Sequence, residues 1–237
     1  FAQKKNLFNR TRRSRIGNFR EINGGFPGGI LADEILTPGD EQIKALFVTG
    51  GNPLLTMANS TRLRKAFKAL ELLVVTDIQL NETASLAHYI LPATSPLERL
   101  DLPFVFPLFM GMQSKPYLAA TEAIVEPSGE QRDEATIYTD LASACGVGLF
   151  GSQAGQSALR LLKAGNSLFS GNKQPALPQK FLMDQLLRMN KSGSFKAHLK
   201  NVNGSPWRGA IPGTFLGKRP TTDDGKVHLA PPLFLMQ

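Results

Sequence analysis

The chain has 237 residues, 42% of them hydrophobic, which is enough for one sizeable domain with a real core and allows for a tail. Its single cysteine, Cys145, excludes a disulfide framework and any cysteine-ligated iron–sulfur cluster, and no apolar run approaches the ~18 residues of a membrane-crossing helix. The net charge of +8 is local. Residues 1–20 hold Lys4, Lys5, Arg10, Arg12, Arg13, Arg15 and Arg20 with no acidic side chain, so the rest of the chain is near neutral. Such an arm can bind phosphate backbones, but the preferred reading is that Arg10–Arg15 packs against other protein.

In chain order, Gly24-Gly25-Phe26-Pro27-Gly28-Gly29 forms a turn-rich hinge before a short helix, Ile30–Leu36, which Thr37-Pro38-Gly39-Asp40 ends. An apolar run, Ala45–Val48, stops on Thr49-Gly50-Gly51-Asn52-Pro53. A helix over Ser60–Leu70 follows, with Leu63, Ala66, Phe67 and Leu70 on one buried face and Ser60 or Thr61 as its cap. A second apolar run, Leu72–Val75, stops on Thr76-Asp77. After a polar turn and a short helix comes a third, Tyr89–Leu91. Alternating strands, polar turns and helices predict a parallel sheet wound with helices, and ligands bind such sheets at the carboxyl ends of the strands.

Two of those ends suit a nucleotide. Gly50 and Gly51 clear side chains from the first, so backbone amides can approach an anion, and Asn52-Pro53 stiffens the turn. Asp77 ends the second strand, where a carboxylate can accept hydrogen bonds from a ribose or purine edge. It can equally be a plain turn aspartate. Asn81-Glu82-Thr83-Ala84 adds a carboxylate and a hydroxyl at the same edge, with Asn81 a candidate cap.

The segments FVTGGNPLLTMANSTRLRKAF and LELLVVTDIQLNETASLAHYILPATSPLER closely resemble the molybdopterin-dependent oxidoreductases of the dimethyl sulfoxide reductase and formate dehydrogenase type. There a GxNP turn, a strand-terminal Asp, an ETA segment and a [DH]-Y-[IV]-L-P strand recur in this order. Coverage is good from about Ile16 to Phe150 and poor to Thr221. The resemblance implies an α/β fold, a Rossmann-like parallel sheet with helices on both faces plus an irregular C-terminal tail. It also implies a bis(molybdopterin guanine dinucleotide) cofactor carrying Mo or W, of which this chain would grip one dinucleotide. Gly50, Gly51 and Asn52, followed by Pro53, would face the pyrophosphate. Asp77 would contact the guanosine, with Glu82 and Thr83 lining the same pocket.

The resemblance also implies a piece of a longer enzyme. The family's iron–sulfur cysteines and its metal ligand come from elsewhere, so no catalytic or metal-ligating residue is assigned here and the chain alone is expected to be inactive. The expected organisation is a basic arm and entry segment (1–37), the dinucleotide-binding domain (38–165), a helical and loop connector (166–222) and the start of a cap domain (223–237). Expected partners are the cofactor and the enzyme's other domains, with nucleic acid disfavoured and no membrane segment. The cytoplasm is the preferred compartment and a formate-dehydrogenase-like member the preferred type. The alternatives are a non-catalytic Rossmann-type nucleotide-binding module and a basic nucleic-acid-binding fragment.

Further expectations concern single residues. Cys145 reads as a small buried residue before the glycine stop at Gly146, and Ile137, Leu141 and Ala144 as one face of a helix over Arg132–Cys145. Gln156–Lys163 and Pro178–Met189 read as helices separated by a loop holding Gly165, Gly171, Pro175 and Pro178. Phe181, Leu182, Gln185, Leu186 and Met189 present a face in want of a partner, as does Phe104–Met112. Glu98, Arg99 and Asp101 border the family's active-site funnel or are solvated loop charges. Residues 190–220 read as loop anchored by Trp207. His88 is read as structural, His198 as solvated and His228 as facing out from a strand.

Overall fold

The computed structural model describes residues 8–22, 24–102, 117–170, 175–189, 191–201, 204–206, 224, 226, 228 and 229. Phe104–Met112 and Trp207 lie outside them, as does most of 223–237.

The described part of the basic arm, from residue 8 on, folds onto its own chain. β1 (Phe8–Arg13) and β2 (Arg20–Ile22) pair as an antiparallel hairpin. Arg12 donates to Glu21 at 3.0 Å and lies 5.9 Å over the Phe26 ring. Arg15 donates to the Glu34 carboxylate and, at 2.9 Å each, to the Glu34 and Thr37 carbonyls. The cause is the burial of Glu21 and Glu34, at 4% and 8% exposure: a buried carboxylate needs a cation or hydrogen-bond donors. Arg12 and Arg15 therefore pair within the chain.

A 3-10 turn at Gly28–Ile30 leads into α1 (Leu31–Leu36). Then come β3 (Ala45–Thr49), α2 (Pro53–Thr56), α3 (Ser60–Lys68), β4 (Leu72–Asp77), a 3-10 turn at Ala84–Leu86 and β5 (Tyr89–Pro92). The three strands form a parallel sheet in the order β3-β4-β5, with Thr49 level with Thr76 and Asp77 level with Pro92. The predicted stripe Leu63, Ala66, Phe67 and Leu70 is buried against Val48, Leu73, Val75 and Ile35 of the sheet and α1. The other sheet face carries Phe47, Val74 and Tyr89 in register. Near its carboxyl end Thr49 hydrogen-bonds Tyr138, while Phe47 and Tyr89 stay exposed at 53% and 65%.

The cap of α3 is neither Ser60 nor Thr61 but Asn59, whose side chain accepts from the Arg62 amide at 3.2 Å. Asn59 also holds a left-handed backbone (φ 60°, ψ 60°), which asparagine tolerates better than serine or threonine does.

The rest of the chain is mainly helical: β6 (Tyr117–Leu118), α4 (Glu134–Ala144), α5 (Gln153–Ser170), α6 (Gln179–Met189), α7 (Phe195–Leu199) and β7 (Ser205–Pro206), which pairs with β6. α5 runs through Gly165, so the expected loop begins later. α4 buries Thr136, Ile137, Thr139 and Ala142, and Ala144 is exposed. Threonines can occupy this face because their polar atoms are paired: Thr136 donates to Asp133 and accepts from the Leu177 amide, and Thr139 donates to the Ala135 carbonyl. Cys145 is exposed, not buried. It is the C-cap, after which Gly146 (φ 67°) turns the chain and the Val147 amide reaches back to Ala142.

α7 was not legible as a helix in the sequence. Ser194 caps it, and Phe195 enters a second core with Leu102, Leu118 and Leu187. On α6, Phe181, Leu186 and Met189 are exposed, while Leu187 carries the burial. His198 is buried rather than solvated, at 7% exposure, with Nε2 at 2.7 Å from the Ser192 carbonyl oxygen. His88, just ahead of β5, exchanges two bonds with Leu73, one through Nδ1. His228 lies in no strand and sits 3.0 Å from Asp224.

Two predictions follow from these local causes. Asn59→Ala removes a cap and forces alanine into the left-handed region, so unfolding in urea should show a loss of about 2 kcal/mol, whereas Asn59→Gly should recover much of it. Asp184 accepts from Arg188 and from the Phe195 amide, which together hold its carboxyl below the usual aspartate range. Its contribution is therefore present above the ordinary aspartate pKa and is lost as the pH falls through the depressed one. Hydrogen exchange at the Phe195 amide should accelerate in that acidic window, and Asp184→Asn should flatten the dependence.

Candidate functional site at the strand ends

β3 and β4 end side by side, and the Gly50 amide makes the last cross-strand bond, to the Thr76 carbonyl at 2.9 Å. The chain then breaks from the sheet at Gly50 with φ 56°, a left-handed conformation that favours glycine. A Cβ placed on Gly50 would find its nearest neighbour, a Glu134 carboxylate oxygen, only at 3.9 Å, so the space in front of this turn is open. The Gly51 and Asn52 amides donate no hydrogen bond among the described residues. They are two orphan donors at the mouth of a cleft of about 330 Å³.

Gly50, Gly51 and Asn52 form one wall of that cleft. Asp77, Gln79 and Asn81 form another, and Arg99 and Glu134 close it. Asp77 accepts from the Ile78 and Gln79 amides at 2.7 and 3.2 Å through one oxygen and from Asn81 at 2.9 Å through the other. Each carboxylate oxygen has further acceptor capacity. Asn81 also accepts from the Ala84 amide through its side-chain oxygen at 2.9 Å.

The remaining predicted residues do other work. Pro53 is the first residue of α2 and does not line the cleft. Thr83 is fully buried: it donates to the Asn52 side-chain oxygen at 2.8 Å and accepts from the Leu54 amide at 3.2 Å. Glu82 accepts from the Asn52 side-chain amide. Its own backbone amide, and then that bond, hold the Glu82 carboxyl below the usual glutamate range. Glu82 and Thr83 thus brace Asn52 from behind. Cys145 is not among the lining residues, and among the described residues no three His, Cys, Asp or Glu side chains gather as a metal site.

Arg99 and Glu134 are the residues that sequence reasoning under-valued. The sequence offers Arg99 as a residue of the active-site funnel or a solvated loop charge, and it does not single out Glu134. Nothing in their spacing tells that the Ala93–Arg132 bridge beside β5 brings the two segments together. Glu98 and Asp101 organise loops, through the Ser95 amide and Gln131 and through Thr121.

A larger cleft of about 1060 Å³ lies between the Thr94–Leu100 segment and α6. Its charges are largely satisfied internally: Arg132 meets Asp140, Lys180 meets Glu122, and Asp133 caps α4. Among the described residues, the buried Thr94 hydroxyl in that wall has no hydrogen-bond partner. Size favours this cleft, but orphan donors at parallel strand ends favour the smaller one as the ligand site.

Residues 5–144 match the family model for molybdopterin oxidoreductases. The chain belongs to that family. Among its relatives, a probable oxidoreductase YyaE of Bacillus subtilis is 32% identical over 49% of this chain and 17% of its own length. Trimethylamine-N-oxide reductase of Haemophilus influenzae is 30% identical over 52% and 16%. The F420-dependent formate dehydrogenase alpha subunit of Methanocaldococcus jannaschii is 32% identical over 51% and 17%. The matched region is thus about a sixth of each relative. Membership implies a molybdopterin cofactor carrying Mo or W. Among the described residues no helix is long and apolar enough to cross a membrane.

The Thr83 brace can be tested directly. Thr83→Val keeps the shape but leaves the Asn52 oxygen and the Leu54 amide without their partner. Urea unfolding should show a loss of about 1–3 kcal/mol, and proteolysis should become faster at the Gly51–Thr56 turn.

Proposed function

We propose that this chain grips one guanine dinucleotide of a bis(molybdopterin guanine dinucleotide) cofactor within a longer oxidoreductase. The observation that carries the reading is the pair of orphan amides, Gly51 and Asn52, facing Asp77 across one cleft at adjacent strand ends. Amides without partners stabilise an anionic diphosphate at little reorganisation cost, because Thr83 already fixes the turn. The remaining acceptor capacity of Asp77 matches the N–H groups of a guanine edge or a ribose hydroxyl. The open space before Gly50 is where a phosphate can come close to the backbone. When bound, the group supplies the redox chemistry at its metal, while these residues bind and orient it.

The whole protein's reaction, formate oxidation in our preferred reading, belongs to the longer enzyme. The named relatives include both a trimethylamine-N-oxide reductase and a formate dehydrogenase subunit. The basic-arm alternative loses ground because Arg12 and Arg15 are held by Glu21 and Glu34.

Calorimetry with GDP tests the proposal. The chain should bind GDP, and Asp77→Ala should weaken binding by about tenfold or more. Unchanged affinity in Asp77→Ala, with the melting temperature retained, would remove Asp77 from the site.

A further inference from the structure

Among the residues lining the small cleft, Arg99 is the only cation, against two carboxylates, Asp77 and Glu134. One of its N–H groups donates to the Thr94 carbonyl at 3.3 Å. Its nearest charge partner, Glu134, is 3.8 Å away, too far for a hydrogen bond. No other group on the guanidinium has a partner among the described residues. Yet the side chain is only 27% exposed, so it is partly desolvated with most of its donors unspent. A guanidinium presents a rigid fork that suits phosphate oxygens. Arg12 and Arg15, by contrast, are hydrogen-bonded to carboxylates.

Glu134 has the opposite character. It stands in the first turn of α4, its carboxylate near the open space before Gly50, where a phosphate would approach the orphan amides. An anion placed there meets like-charge repulsion unless Glu134 turns away.

We propose that Arg99 is the diphosphate-reading residue of this cleft and that Glu134 holds it in waiting, competing with the ligand for the same guanidinium. Binding exchanges the long Arg99–Glu134 contact for a close guanidinium–phosphate one, and Glu134 swings towards solvent. Arg99 stands on the segment that follows β5 and Glu134 on α4, so ligand binding is transmitted to α4 through this exchange. The inference deepens the dinucleotide reading and rests on its diphosphate half, not on its guanosine half.

The test is calorimetry of the 237-residue chain with GDP, guanosine and inorganic pyrophosphate, at fixed salt, with melting temperatures as the folding control. Arg99→Gln should weaken GDP and pyrophosphate by about tenfold or more and leave guanosine unchanged. Glu134→Gln should tighten GDP and pyrophosphate severalfold, again without effect on guanosine. Asp77→Ala should weaken guanosine and GDP but not pyrophosphate. If GDP binds and Arg99→Gln binds it equally well, the inference is overturned while the dinucleotide reading stands. If pyrophosphate binds through Arg99 but guanosine and GDP show no dependence on Asp77, the inference stands and the guanine reading falls. If wild type binds none of the three, both fall. Weaker GDP binding in Glu134→Gln would overturn the competitive role of Glu134.

Discussion

The arrangement of the strand ends depends on one buried hydroxyl. Thr83 Oγ1 has no contact with water, and it donates to the Asn52 side chain while accepting from the Leu54 amide. Together with the Asn52–Glu82 bond, those two bonds fasten the turn after β3 to the turn after β4. The non-helical backbone of Asn52 (φ −122°, ψ 75°) places it at the start of α2, and Pro53 after it disfavours any return to helix. With its side chain committed rearward to Thr83 and Glu82, Asn52 keeps its backbone amide unspent. A hydroxyl with no exposure of its own thereby sets the geometry of the exposed surface.

The same economy appears at each junction where a polar group is buried. Glu21 and Glu34 draw in Arg12 and Arg15, which turns a basic arm into the tie between the hairpin and α1. Thr136 and Gln156 bond towards Leu177 and Thr139, linking α4 to α5 and to the segment before α6. Asp184 holds the start of α7 through the Phe195 amide. Each tie joins segments distant in sequence, and each is local in its chemistry: a buried donor or acceptor is costly to leave unpaired.

Much of the fold was legible because apolar spacing and sheet grammar agree. Leu63, Ala66, Phe67 and Leu70 announce their helix face, and the three short apolar runs end on the polar residues that mark parallel strand ends. The residues misread share a different physics. Asn59 was passed over because a left-handed cap is invisible in a pattern of polarity. His198 looked solvated because a five-residue helix carries too little periodicity to show which side it buries. Cys145 reads as buried from its residue type, whereas the helix end that the glycine stop marks faces solvent. At the candidate site, Gly50, Gly51, Asn52 and Asp77 stood out through turn chemistry. Thr83 was placed in the pocket because a sequence gives the edge on which a hydroxyl lies but not its direction. Arg99 and Glu134 meet only through tertiary structure, which no spacing encodes.

The position of Cys145 has a practical side. It is the chain's single thiol, it is exposed, and it terminates the helix whose first residue is Glu134. Eleven helical residues separate the two ends, roughly 16 Å of rigid rod at 1.5 Å per residue. A probe attached there stands outside the cleft yet is mechanically coupled to its wall. Within these 237 residues Cys145 is therefore a unique labelling point from which the attitude of α4 can be followed spectroscopically.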